Sequence, residues 1–101
     1  MCIKLDCLDL KVGHIWYDTV DQPVIPVTIK NKCESNVIVV IHVKTPSKEL
    51  IHKSSQIRLH PNEEKTIEIT VSYYGDVEIA GEWMLEEVGT WWPLSPIKAK
   101  L

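Results

Sequence analysis

The sequence has little of several features that would point to a specific partner. It contains no phenylalanine, only four glycines and only three cysteines in 101 residues. Its formal charge of −3 supplies no basic field for a phosphate backbone. No apolar run is long enough to cross a membrane as a helix. These absences disfavour both nucleic acid and membrane as partners.

The few cysteines give weak evidence for a disulfide framework or a zinc site. Cys2, Cys7 and Cys33 are odd in number and form no C-x-x-C pair. We therefore expect free, mostly buried thiols, with a Cys7–Cys33 bridge between neighbouring strands as the open alternative in an oxidising compartment. Charges interrupt the early apolar stretch of residues 1–6, so no secretory signal is predicted. The expected location is the cytoplasm or a virion.

Histidines and carboxylates are present, but without the spacing that catalysis or metal binding needs. No two of the four histidines stand two or four residues apart, although His42 and His52 could meet across two strands, with His60 joining them. The acid pairs Glu63-Glu64 and Glu86-Glu87 fall in predicted turns, where neighbouring side chains point apart. No Gly-x-Ser-x-Gly elbow is present. We predict no catalytic residue, no cofactor and no metal site.

What the chain has in quantity is β-branched residues, and their densest run is Val37–Val43. Six of its seven residues are valine or isoleucine, and His42 is the exception. Branching at nearly every Cβ favours a strand over a helix. A run this apolar predicts a central strand of a β domain. Its Val37 face is expected to pack across the core, whereas Ile38 and Val40 share the other side with His42 and need a loop, the 91–94 segment or a second chain to cover them.

Period-two alternation continues on both sides of this run. Ile67, Ile69 and Val71 alternate with polar residues, and the face from Val77 to Leu85 includes Trp83, which we expect to anchor the core. Seven or eight short strands at intervals of about 8–12 residues predict an all-β, antiparallel immunoglobulin-like β-sandwich. The chain is expected to form one domain over residues 1–101.

Local signals predict several connections. The polar stretch Asn31–Asn36 is expected to join its flanking strands as an antiparallel hairpin. Pro26 predicts that its strand has an unpaired side at that residue, and Pro26 and the segment Glu49–Lys53 mark possible sheet edges. Residues 14–17 are expected to form a loop, and Gly81 to weaken or bulge its strand. A slip in alternation between Cys7 and Leu8 predicts a bulge or a change of sheet, and the last few residues are expected to fray.

About half of the chain resembles the immunoglobulin-like modules of the CARDB and related adhesion-type families. The resemblance is carried by Val-Thr-Ile-Lys-Asn at 27–31, Val37–Val43, Leu59–Ile67 with its Pro-Asn-Glu turn, and Gly75 before Val77-Glu78-Ile79. Lys32-Cys33 lacks the usual glycine after the asparagine, and Asn62 stands where the turn glycine would be, a position asparagine tolerates. The resemblance implies a binding or spacer module, usually extracellular, without a shared catalytic site.

The aromatic residues are the candidate contacts. Trp91 and Trp92 are adjacent, so on a strand they point to opposite faces and at most one can be buried in the core. The exposed one, near a tyrosine, would suit a protein interface or a sugar ring, or would simply close the end of the sandwich. The protein-contact candidates are Trp91, Trp92, Tyr73, Tyr74, Trp16, Ile38 and Val40.

These observations predict a non-enzymatic protein-interaction or structural module. It would associate with itself or with a larger assembly, such as a virion or a surface complex. Two alternatives stay open. One is a carbohydrate-binding module that uses exposed Trp and Tyr side chains, and the other is a small inhibitor or accessory protein of virus or mobile-element type that binds a host enzyme.

Overall fold

The computed structural model describes residues 7–101, which form ten strands. Helices long and apolar enough to cross a membrane are absent from this range. The bounds of the strands are β1 Leu8–Val12, β2 Trp16–Tyr17, β3 Pro23–Asn31, β4 Val37–Lys44, β5 Leu50–Lys53, β6 Ile57–Leu59, β7 Glu64–Thr70, β8 Asp76–Leu85, β9 Trp92–Pro93 and β10 Ile97–Lys100.

The strands form two antiparallel sheets. In sheet I, β3 is central, with β1 and β2 following one another along one side and β7 along the other. In sheet II, β4 and β8 pair in the middle, β5 and β6 share the outer side of β4, and β9 and β10 share the outer side of β8. Ten short strands therefore occupy seven positions. The predicted all-β antiparallel sandwich is confirmed.

The core lies between the two sheets and is built as the alternation predicted. On β4, Val37, Val39, Ile41 and Val43 are fully buried. They belong to one cluster with Ile25, Val27, Ile29, Ile69 and Val71 from the other half of the sandwich, and Ile67 packs against its rim. Trp83 is 3% exposed within the same cluster. Each fully buried aliphatic side chain contributes about 1.5–3 kcal/mol of transfer free energy.

The predicted hairpin between β3 and β4 is wrong. The two strands lie in different sheets, and residues 32–36 carry the chain across the sandwich. Asn31, which is fully buried, organises this crossover. Its Oδ1 accepts a hydrogen bond from Cys33 N at 2.8 Å, and its Nδ2 donates to Ser35 O at 2.9 Å and to Leu59 O at 3.1 Å. Since both strands present a wholly apolar face, they bury more by facing each other than by pairing side by side.

Pro26 lies in a central strand and not at a sheet edge, but the predicted unpaired side at this residue is present, because neither β1 nor β2 pairs with it. Its Cα partner on β7 is Glu68, and its carbonyl accepts a hydrogen bond from Gly13 N at 2.8 Å on the opposite side. That side is the gap between β1 and β2, where the missing N–H of proline leaves no ladder bond unmade. The segment expected to be a loop at residues 14–17 also pairs, because Trp16 and Tyr17 form β2 against β3.

The end of the chain is a strand, so the expected fraying is wrong. Strand β10 pairs with β8 from Ile97↔Ile79 to Lys100↔Asp76, and Leu101 N donates to Gly75 O at 2.8 Å. Pro93 and Pro96 do not prevent this pairing, although the register shifts by one residue between β9 and β10. Facing β4, by contrast, β8 runs without interruption.

Gly81 is required by close approach between these two strands. It pairs with Ile41, and a Cβ at this position would lie 2.0 Å from the carbonyl oxygen of Val40. The expected bulge does not interrupt the β4–β8 ladder. The irregularity is confined to the opposite side of β8, where Leu94 N donates to Gly81 O at 2.8 Å.

Cys7 and Cys33 form a disulfide, so the expectation of free thiols is wrong for this pair and the open alternative is the observed one. Their Cα atoms are 5.0 Å apart. Lys32 N also donates to Cys7 O at 2.7 Å. The bridge joins the chain just before β1 to the crossover after β3. The predicted slip between Cys7 and Leu8 depends on residues 3 and 5, which lie outside the described residues.

Candidate functional site

Two of the exposed aromatic side chains, Tyr17 and Tyr74, lie at one end of the sandwich together with the exposed Val20. Tyr17 ends β2, Val20 lies in the turn between β2 and β3, and Tyr74 lies in the loop between β7 and β8. Their exposed fractions are 49%, 69% and 59%, respectively. The Tyr17 and Tyr74 rings are nearly parallel, with centroids 6.4 Å apart and an interplanar angle of 9°. We call Tyr17, Val20 and Tyr74 the aromatic end.

Hydrogen bonds hold the aromatic end in one shape. Asp18 Oδ1 accepts from Val20 N at 3.0 Å and from Gln22 N at 2.9 Å, which closes the turn after β2. Asp21 has a positive φ of 60°, a conformation aspartate tolerates better than most residues. The hydroxyl of Tyr74 donates to the backbone oxygen of Asp21. The two loops that carry the tyrosines are thereby tied to each other.

Trp16 lies beside the aromatic end but on a different face. Adjacent residues of a strand point to opposite sides, so Trp16 projects onto the outer face of sheet I while Tyr17 points to the end. Its indole N–H donates to Glu68 Oε2 at 3.1 Å on β7, across β3. Val24, its cross-strand partner, is 3% exposed. Trp16 therefore covers Val24, although 45% of its own surface stays exposed.

Trp91 and Trp92 lie on opposite faces of sheet II, as their adjacent positions predicted. Trp92 packs on Trp83, with ring centroids 5.0 Å apart and an interplanar angle of 49°. Trp91 is 37% exposed and lies on the outer face of sheet II, where it lines the same groove as Val40. The exposed tryptophan is Trp91, and it is not beside a tyrosine.

Three other predicted contact residues are less accessible than expected. Val40 is only 7% exposed, so the chain itself covers it and it offers no contact. Ile38, on the same face, is half-buried. Tyr73 is half-buried and packs against the core. The sequence left three possible covers for Ile38 and Val40. The 91–94 segment is the one that supplies a cover, because its Trp91 lies beside Val40.

The opposite end of the sandwich is polar and holds its carboxylates charged. Asn36 Nδ2 and Arg58 donate to Glu86 Oε2 at 3.0 and 2.9 Å, and together they lower the pKa of Glu86. Hydrogen bonding from the backbone N–H of His60 likewise lowers the pKa of Glu63. A general acid needs a raised pKa instead. In residues 7–101, no three His, Cys, Asp or Glu side chains are placed to hold a metal ion.

The fold and the aromatic end together define a class: an antiparallel β-sandwich that presents ordered aromatic side chains beyond one end of its core. No protein-family model matches the chain, and no curated protein matches it.

Of the aromatic end, Tyr74 is among the contact candidates predicted from the sequence, whereas Tyr17 and Val20 are not. Both lie in a stretch that lacks clean alternation, so its residues could not be assigned a face. The turn signal Asp18–Asp21 after two aromatic residues was the available evidence for a short hairpin there.

Proposed function

We propose that the protein is a non-catalytic module that works by contact with another protein through the aromatic end. The observation that carries this proposal is the placement of Tyr17, Val20 and Tyr74 together with about half or more of each side chain exposed. Tyrosine supplies much of the binding energy at protein interfaces, because it combines a large apolar area with a polar tip.

The order of the aromatic end supports the same proposal. Asp18 fixes one loop and the Tyr74 hydroxyl joins it to the other. Side chains that are already held in place lose little conformational entropy when a partner binds. An ordered aromatic surface therefore binds more tightly than a flexible one of equal area.

We also propose that the protein works in an oxidising setting, such as the surface of a virion or of a cell. The Cys7–Cys33 disulfide supports this location, because such bonds persist where thiols are not kept reduced. Of the two expected locations, the virion suits this bond better than the cytoplasm does.

The test compares the native protein with a Tyr17→Ala/Tyr74→Ala variant. Sedimentation velocity measures self-association, and affinity purification from the source material followed by quantitative mass spectrometry measures binding to other proteins. We expect the variant to bind its partner with an affinity about tenfold or more lower than that of the native protein. Its far-UV circular dichroism spectrum should keep the native β-type shape.

Leu50→Ala is the matched control, because Leu50 is 51% exposed on β5 and lies outside the aromatic end. It should retain every association. A native protein that is strictly monomeric and captures no partner would contradict the proposal. So would a double variant that associates normally.

A further inference from the structure

A second surface, on the outer face of sheet II, differs in chemistry from the aromatic end. Trp91 stands there between two shallow grooves. One, of about 340 Å³, is lined by Lys53 and Gln56 together with His42, Glu82 and Trp91. The other groove, of about 410 Å³, is also lined by His42, Glu82 and Trp91, and it continues along the 93–96 segment. We call Trp91, His42 and Glu82 the Trp91 platform.

The platform is held by the core beneath it. Trp92 packs on Trp83 and so fixes the neighbouring residue Trp91 on the opposite face. The 2.8 Å hydrogen bond from Leu94 N to Gly81 O anchors the same segment on its other side. His42 and Glu82 project from β4 and β8, the central pair of sheet II, where Glu82 is opposite Val40. All three side chains therefore stand on well-supported backbone.

Polar groups around Trp91 are free to bind a ligand. Within residues 7–101, the side chains of His42, Glu82, Lys53 and Gln56 make no hydrogen bond and no ion pair to one another or to other described residues. Burial, and then the positive charge of Lys44, lower the pKa of His42, while Glu82 opposes this effect. A lowered pKa favours the neutral imidazole, in which one ring nitrogen donates and the other accepts.

This set of groups fits a sugar better than it fits a protein. A pyranose ring has an apolar C–H face that can lie on an indole, and a rim of hydroxyls that both donate and accept. Glu82 accepts, Lys53 donates, and His42 and Gln56 do both. Among the described residues, Trp91 is the only exposed large hydrophobic side chain that lines either groove, and Leu50 lies beyond them, opposite Lys44. An interface core needs several apolar anchors together.

We propose that the Trp91 platform binds a neutral oligosaccharide chain, stacking one ring on Trp91 while His42 and Glu82 hydrogen-bond its hydroxyls. The two grooves on either side of Trp91 give room for the sugars that precede and follow that ring. This inference does not rest on the proposed function, because it uses another face of the molecule.

The experiment titrates the full chain with cellohexaose, mannohexaose and N-acetylchitohexaose, read by isothermal calorimetry and by tryptophan fluorescence. We expect at least one of these probes to bind at micromolar to millimolar concentration. Trp91→Ala and Glu82→Ala should each weaken that binding by about tenfold or more. Trp16→Ala is the matched control, because it removes an exposed tryptophan from the other sheet and should leave the affinity unchanged.

Trp91→Ala removes part of the cover of Val40 and could fail to fold for that reason. Glu82→Ala leaves this cover in place, so it tests sugar binding independently. The proposal is overturned if none of the three probes produces heat or a fluorescence change at millimolar concentration. It is equally overturned if both platform variants bind sugar as the native chain does. Loss of a protein partner from Trp91→Ala, without any sugar binding by the native chain, would show that the surface is a protein contact.

Discussion

Removing the Cys7–Cys33 bridge tests the strongest covalent constraint of the fold. The two cysteines are separated by 26 positions in the sequence. Closing a loop of this length restricts the unfolded chain by about 3.5 kcal/mol in the chain-entropy treatment. For a domain of about 100 residues, that loss corresponds to a fall in Tm of about 15–25 °C. Since domains of this size have a net stability of about 5–15 kcal/mol, the reduced protein should stay folded at low temperature.

The assay is thermal unfolding followed by circular dichroism, with and without a phosphine reductant, on the native chain and on Cys7→Ala/Cys33→Ala. The native chain should lose stability on reduction, and the double variant should match the reduced protein in both conditions. Strand β1 should also exchange its amide hydrogens faster when the bridge is absent, because Cys7 precedes it directly and Lys32 N donates to Cys7 O.

Cys2→Ala is the control, and it should leave the effect of the reductant intact. Superimposable unfolding curves for the oxidised and reduced native chain would refute the reasoning. A mass for the non-reduced protein that shows all three thiols free would refute it more directly.

Three further predictions follow from single residues. Asn31→Ala removes three hydrogen bonds of a fully buried side chain, and it should lower the free energy of unfolding in urea by about 2–4 kcal/mol. Asn62→Gly, at a turn residue with φ of 65°, should cost nothing in the same assay. Gly81→Ala places a Cβ 2.0 Å from Val40 O and should cost about 3 kcal/mol in the same assay, or prevent folding. The pKa of Glu86 is lowered in the folded state, so its stabilising effect is present above its ordinary value of 4.5 and is lost as the pH falls below it. As the pH falls below 5, the Tm of Glu86→Gln should therefore decrease less than the Tm of the native chain, as measured by circular dichroism.

The sequence predicted those features of the fold that depend on one strand at a time. Alternation assigned the buried face of β4 and the core position of Trp83 correctly, because the side-chain period of a strand is a local property. Pairing partners are not local. The 31–36 segment has turn residues that suit a hairpin, yet the buried Asn31 side chain uses them to cross between sheets. The pairing of β10 also depends on a distant strand, β8.

The sequence indicated that aromatic side chains would form the candidate site, but not where in the fold they would lie. Adjacent tryptophans had to point to opposite faces, but only the contact of Trp92 with Trp83 decides which one is exposed. Tyr17 and Tyr74 are 57 positions apart, so nothing local indicates that their rings stack. The sequence indicated that Val40 needs a cover, but no local pattern could choose among a loop, a second chain and the 91–94 segment, which supplies Trp91.

The interrupted outer strands determine how this protein can meet copies of itself through its backbone. Three of the four sheet margins are broken, between Val12 and Trp16, between Lys53 and Ile57, and between Pro93 and Ile97, so each offers only a short ladder to an incoming strand. Within the described range, β7 is the unbroken margin, and there Lys65, opposite the buried Ile29, sends its ammonium group to Arg58 O at 2.9 Å. A charge at an inward-facing position of an edge strand opposes edge-to-edge addition. Over residues 7–101, an incoming strand would therefore meet only short ladders at three margins and a lysine at the inward-facing position 65 on the fourth.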